Sequence, residues 1–523
     1  MTPRPLTGER RSGRLGAVLA GWMAACLLCT AGLTGASPSL ALARRTTSPA
    51  VEPCPGLSGV LCGNIKVPLY WGLPELGSLN VHFEVYPPTD SSLPALEPIV
   101  AMEGGPGYPS TGSAASYLFM IGSLHRRHAL ILMDQRGTGG SDAINCPGVQ
   151  DYDGLVRPDK FPRVVAECAK DLGREANAYG SAAVAEDLRA ILETLHVTKV
   201  DLYGDSYGSY AAQVFALHYP DFVRDLVLDG TYDQQFDPFE PEAVRALRHS
   251  WDTICRAFRG CKGDELLDDL AAFEGRLARH PLVAVADDEY DSPQHVDLTA
   301  AAFAQLVFDA TYSYTFFRDL PAAIVAADAG DLAPIERLAA EDVSFNAAGG
   351  SPSEYSAGDL EAVSCHDYPT AWKTASGVAA RASQLDAAIK HLPASVFFPF
   401  PKGVWLASLD ENELVYGCLD WPRPTVADPP FPAGAPFPRL PVLVLDGLLD
   451  QATPLTDAGE VASAWPDTTF VRVANSNHVT AQADFLHCVS VIVRRFLATR
   501  AAGDTACASE VPPPYVVPVF PTE

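Results

Sequence analysis

The chain has 523 residues, is 48% hydrophobic and carries a formal charge of −27. That composition builds a large core and excludes an intrinsically disordered protein. No long run of Lys or Arg offsets the acid, so a groove that tracks the phosphates of a nucleic acid is excluded on electrostatic grounds. At the N-terminus, Arg4, Arg10, Arg11 and Arg14 precede an apolar stretch over 15–33, and small residues then lead to Ala41-Leu42-Ala43. This charged, apolar, cleavage order predicts a secretory signal peptide over residues 1–43. Thr30, Gly32, Gly35 and Ser37 thin the apolar run, which argues against a stable membrane span.

Export fits the cysteines. Cys26 and Cys29 leave with the leader, and an even number remains, as expected of disulfides formed in an oxidising compartment. Pairing is expected between sequence neighbours, with Cys365 to Cys418 the one long closure. The spacings do not resemble a zinc site, and neither a metal nor another cofactor is expected.

Residues 44–230 read as the first part of a core. Segments 65–71 and 79–86 predict an antiparallel strand pair. From there the pattern changes to short, continuously apolar runs at 98–102, 129–133, 200–203, 226–228 and 442–445, the kind buried on both faces of a sheet. Helical periodicity separates them, as over 182–195, where Leu188, Ile191, Leu192 and Leu195 form one stripe. Strands alternating with helices predict an α/β fold with a mostly parallel sheet. The alternation stops near Gly230 and resumes near Pro441. Residues 231–436 therefore read as an inserted, mainly helical cap with a proline-rich linker, 437–500 as the second part of the core, and 501–523 as a C-terminal tail.

Chemistry enters at Tyr203-Gly204-Asp205-Ser206-Tyr207-Gly208-Ser209. Three fixed positions of G-x-S-x-G recur by chance in roughly one chain in five of this length, so the flanks decide. The strand at 200–203 and a helix over 207–218 supply the strand, sharp turn and helix that a nucleophile elbow needs. A serine hydroxyl needs a base, and the base an orienting acid, here in the order Ser, acid, His. Asp450 follows the strand at 442–445, and His478 follows the next one at 469–473. Asp446 and His487 are the rival acid and base. Glu103-Gly104-Gly105-Pro106-Gly107 follows an apolar strand, so the oxyanion donors are expected to be the N–H of Tyr207 and one from Gly104 or Gly105. Arg136 is expected to brace loops.

The ordered set Gly104-Gly105-Pro106-Gly107, Asp134-Gln135-Arg136-Gly137-Thr138-Gly139, Gly204-Asp205-Ser206-Tyr207-Gly208 and Asp450 with Thr453-Pro454 resembles the tripeptidyl aminopeptidase and proline iminopeptidase group of α/β-hydrolases. Ser364-Cys365-His366-Asp367 and Gly417-Cys418-Leu419-Asp420-Trp421-Pro422 also look like stretches of its secreted members. The resemblance spans most of residues 60–500. It implies an α/β-hydrolase fold with a helical cap between nucleophile and acid, and a triad of Ser206, Asp450 and His478. One departure is Glu103, where proline iminopeptidases carry His. By position Glu103 is the first candidate to hold the ammonium group of a substrate N-terminus, with the acidic stretch 233–242 the second. The expected function is a secreted serine exopeptidase acting on small peptides. An esterase or lipase with the same machinery is the alternative, and an inactive surface-binding relative the third reading.

Overall fold

The computed structural model describes residues 51–517 except 152–159, 258–260, 347–349, 409–413, 425, 483 and 485. The expected leader, 1–43, lies outside the described residues. The strands are β1 (Glu52–Pro53), β2 (Leu61–Pro68), β3 (Ser78–Tyr86), β4 (Ile99–Met102), β5 (Leu130–Met133), β6 (Val200–Asp205), β7 (Val223–Asp229), β8 (Leu282–Asp287), β9 (Pro293–Leu298), β10 (Pro441–Gly447) and β11 (Asp467–Val473). One nine-stranded sheet has the order β1-β2-β3-β5-β4-β6-β7-β10-β11. The pairings β1 to β2, β2 to β3 and β3 to β5 are antiparallel. From β5 across to β11 every pairing is parallel.

The apolar runs become strands because both sheet faces are covered. All four residues of β4 and of β5 are buried. Alternate residues serve opposite layers. Val100, Leu202, Leu226, Leu228, Val442 and Val444 join one cluster, and Ile99, Ala101, Tyr203, Val227, Leu443 and Leu445 the other. Core helices are α1 (Ala114–Ile121), α2 (Phe161–Leu172), α3 (Ser181–Thr194) and α4 (Tyr207–His218).

Between β7 and β10 come α5 (Pro241–Ala257), α6 (Gly263–Leu277), α7 (Ala300–Phe308), α8 (Tyr314–Asp328), α9 (Ala333–Asn346), α10 (Ala357–Asp367) and α11 (Val378–His391). On α5, Ala243, Val244, Leu247, Trp251 and Ile254 are buried at helical spacing. The insertion also holds an antiparallel hairpin, β8 with β9, that the helical reading did not anticipate. The burial of Leu282-Val283-Ala284-Val285-Ala286-Asp287 alternates along the strand, with Val283 and Val285 turned to solvent. Among the described residues no helix is long and apolar enough to cross a membrane.

After β10 follow α12 (Leu455–Ala464) and α13 (Val489–Thr499). Helix α13 begins only at Val489, after His487 takes a positive φ of 54°. Residues 501–517 are docked to the fold. Ala474 N–H donates to Ala508 O, and Val517 N–H to Arg318 O on α8. The disulfides are Cys54–Cys62, Cys146–Cys168, Cys255–Cys261, Cys365–Cys418 and Cys488–Cys507, each joining sequence neighbours as expected. Arg136 is fully buried; it donates to Asp187 at 2.6 and 2.7 Å, to Leu69 O at 2.9 Å and to Ala178 O at 2.7 Å.

Candidate active site

At the end of β6 the chain turns so sharply that Ser206 holds φ 51° and ψ −129° before α4 begins at Tyr207. Such a conformation costs a non-glycine residue about 1–3 kcal/mol and persists only where its surroundings impose it. Here Ser206 N–H donates to Asp229 O at 2.9 Å, and Ser209 Oγ donates back to Ser206 O at 2.6 Å. The flanking glycines answer to close approach. A Cβ on Gly204 would lie 2.2 Å from Gly208 O, and one on Gly208 1.9 Å from Met102 O. No side chain fits at either point, which is why the elbow reads G-x-S-x-G.

Asp450 lies in the loop after β10 and His478 in the loop after β11. Asp450 Oδ2 stands 2.8 Å from His478 Nδ1. The remaining capacity of the carboxylate is filled by Ala452 N–H (2.9 Å), Thr453 N–H (3.0 Å), Thr453 Oγ (2.8 Å) and Thr311 Oγ (3.3 Å). Burial opposes its charge, but the His478 interaction and these donors outweigh it, and the Asp450 pKa falls below its ordinary value. For His478, burial likewise opposes the charged form, and the Asp450 charge and hydrogen bond prevail, so its pKa rises. A base must be neutral to accept a proton. Activity is therefore expected to decline as pH falls, with the acid limb of kcat/KM above the ordinary histidine value; a limb at or below that value would contradict the coupling.

The carboxylate paired with His478 is that of Asp450 rather than of the rival Asp446. The ring of His487 packs 5.5 Å from that of Phe119. Asp446 is buried at the strand end, and its pKa is raised well above the carboxylate range by burial and then by the charges of Asp450 and Asp229.

Ser206 and His478 line one cavity of about 520 Å³ with Glu103, Gly104, Gly105 and Asp205. Gly104 approaches the serine so closely that a Cβ there would lie 2.6 Å from Ser206 Cβ. Its N–H is directed at Glu103 Oε1, 3.1 Å away. That differs from the expected role facing an oxyanion, since a backbone N–H has one hydrogen to give. Glu103 lines the cavity, yet both oxygens are engaged, Oε1 with Gly104 and Oε2 with the Tyr117 hydroxyl at 2.9 Å. This arrangement competes with its expected role as an ammonium anchor.

Sequence reasoning missed what the insertion contributes. The turn between α7 and α8 places Thr311 so that its hydroxyl meets Asp450 while its carbonyl accepts His478 N–H at 2.9 Å. Tyr312 presents its ring to that of His478 at 5.4 Å, nearly perpendicular. Helix α10 lines the cavity with Ala357, Leu360 and Ser364, and its His366-Asp367 end reaches the elbow. Asp367 Oδ2 accepts from Ser181 Oγ at 2.5 Å, and that hydroxyl is 2.8 Å from Tyr207 Oη. Burial opposes the charge of His366, but hydrogen bonds to Asp367 and Asp428 prevail and raise its pKa to about 10. Only a long-range contact, 186 residues apart for Ser181 and Asp367, reveals this tie. Cys54, Cys62 and Glu84 cluster closely enough for an ion, but both sulfurs are spent in a disulfide.

Residues 97–481 match the alpha/beta hydrolase fold family. The serine protease Hip1 of Mycobacterium tuberculosis is 30% identical over 219 residues, which are 39% of this chain and 41% of that protein. The chain thus matches about two-fifths of the length of that curated relative. The tripeptidyl aminopeptidase of Streptomyces coelicolor is 24% identical over 501 residues, 87% of this chain and 84% of its own. Among solved structures, the proline iminopeptidase of Mycobacterium smegmatis aligns over 84% of this chain and 98% of its own, at 15% identity and a TM-score of 0.32.

Proposed function

The chain belongs to the alpha/beta hydrolase fold family, and from that membership we propose that it is a secreted serine exopeptidase that attacks peptides near a free N-terminus. The observation that carries the reading is the pairing of His478 Nδ1 with Asp450 Oδ2 at 2.8 Å, in the cavity that Ser206 enters from its elbow. With Nδ1–H held by the carboxylate, Nε2 is left to accept the Ser206 proton. Ser206 Oγ bonds to the substrate carbonyl carbon. His478 then returns the proton to the departing amine, and water releases the acyl group by the same steps in reverse. The N–H groups of Tyr207 and Gly105 stabilise the oxyanion.

Peptide specificity is supported by the wall of the cavity. It carries Glu240, Glu354 and the Glu103–Asp205 pair, and no Lys or Arg among the described residues. An anionic wall favours a substrate that brings an ammonium group. The insertion arches over the site as a cap that excludes folded substrates. Secretion is supported by the five disulfides and by the N-terminal sequence.

The test combines fluorophosphonate labelling with a panel of peptide anilides bearing free or blocked N-termini and simple esters. Labelling that Ser206→Ala abolishes, with cleavage confined to free N-termini, is the expected result. Absence of serine-dependent labelling would overturn the enzyme reading. Equal turnover of blocked peptides would overturn the exopeptidase reading, and turnover of esters alone would make the chain an esterase.

A further inference from the structure

Two acidic residues flank the nucleophile, one on each glycine-rich turn of the site: Glu103 precedes Gly104, and Asp205 precedes Ser206. The Tyr117 hydroxyl of α1 is 2.9 Å from Glu103 Oε2 and 2.9 Å from Asp205 Oδ1. Two contacts thus join one phenol to two carboxyls, and a phenol supplies one hydrogen. If both carboxyls were ionised, one of the two contacts would have no hydrogen in it, and Asp205 is only 1% exposed. A buried pair bridged in this way is satisfied by one further proton.

We propose that Asp205 is a positioning residue that keeps a proton in the resting enzyme and shares it with Glu103, so that the pair bears a single negative charge and Glu103 is free to hold the Gly104 N–H. The inference rests on Ser206 being the nucleophile. Its consequence is geometric: Glu103 Oε1 fixes the turn at Gly104, the residue in closest approach to Ser206, and thereby the direction of the Gly105 N–H that follows.

The surroundings fit one charge and no more. Ser110 Oγ accepts Glu103 N–H at 3.1 Å, and Gln135 Nε2 donates to Glu103 O at 3.1 Å. On the other side, Tyr203 of β6 meets Tyr117 edge to face, with ring centres 5.9 Å apart, and donates its hydroxyl to Asp229 of β7 at 2.9 Å. Asp229 in turn accepts from Thr480 and Ala481, just past His478. None of these groups brings a positive charge. Burial, and then the charge of Glu103, hold the Asp205 carboxyl well above the ordinary range, and burial with both carboxyls raises the Tyr117 phenol. Because the folded pKa of Asp205 is raised, its carboxyl keeps the proton to higher pH than a free aspartate does, and the arrangement is lost as pH climbs through that value. The two anions then repel, and Glu103 releases Gly104.

The test uses the full chain and two variants. Asp205→Asn keeps the shape and a donor of the neutral acid but cannot titrate, and Asp205→Leu has no donor for Glu103. Infrared difference spectra of wild type minus Asp205→Asn at neutral pH are expected to show a protonated carboxyl carbonyl band lost in the variant. Fluorophosphonate labelling rates of wild type are expected to fall on the alkaline side, and Asp205→Asn to move that fall upward by about one pH unit or more. Asp205→Leu is expected to label at least about tenfold more slowly at every pH. A carboxylate band in place of the carboxyl band, or superimposable alkaline limbs in wild type and Asp205→Asn, would overturn the proposal. The infrared measurement needs no turnover, so it decides the proton even if failure to label disproves Ser206 as the nucleophile.

Discussion

Asp450→Asn is expected to lower kcat by roughly 10⁴-fold on any substrate the enzyme turns over, with little change in the amount of folded protein. The carboxylate holds the Nδ1–H of His478 and is itself held by Ala452, Thr453 and Thr311. An amide in that frame turns an N–H toward Nδ1, which moves the imidazole proton to Nε2, where it blocks acceptance of the Ser206 proton. The control is Asp446→Asn. The Asp446 pKa is raised by burial and by the neighbouring charges of Asp450 and Asp229. An amide there leaves the contact of Asp450 with His478 in place, and the expected loss is about tenfold or less. Steady-state kcat for the two variants decides the matter, and a larger loss at Asp446 would reassign the acid.

Arg136→Met is expected to destabilise the fold by about 3–5 kcal/mol, read as a lower midpoint in denaturant with the disulfides intact. The guanidinium and the Asp187 carboxylate are both fully buried and face each other at 2.6 Å. Removing the cation leaves the carboxylate without its partner, and the carbonyls of Leu69 and Ala178 without their donor. Burial already raises the Asp187 pKa, and Arg136 opposes that rise. In the variant the opposition is gone, so the folded pKa climbs further. The penalty is therefore present above that pKa and shrinks as pH falls and Asp187 takes up a proton. A penalty that stays the same from neutral to acid pH would show that lost packing, rather than the orphaned charge, causes it.

The elbow was legible in the sequence because its requirements are local. A buried strand, two glycines forced by contacts under 2.5 Å and a helix buried on every side all lie within 20 residues. Asp450 and His478 were legible because parallel strands deliver their following loops to one edge of the sheet, and the short apolar runs marked those strands. The hairpin of β8 and β9 was missed because its alternation covers only six residues per strand amid Ala-rich helices. The engagement of Glu103 was illegible for a different reason. Its position before the glycines suggested a group facing substrate, whereas Tyr117 and Asp205, brought in from α1 and β6, decide where the carboxylate points. The docking of residues 501–517 depends likewise on distant partners, Ala474 and Arg318 among them.

Thr311 ties the insertion to the Asp450–His478 pair. The residue belongs to the insertion, yet its hydroxyl and carbonyl hold Asp450 and His478, which come from two different loops of the core. A protein engineer who excises the whole insertion to admit larger substrates would dismantle the site instead of uncovering it. Substrate range has to be altered by reshaping helices α9 and α10 around an untouched turn at 309–312, and natural divergence of the cap is under the same constraint.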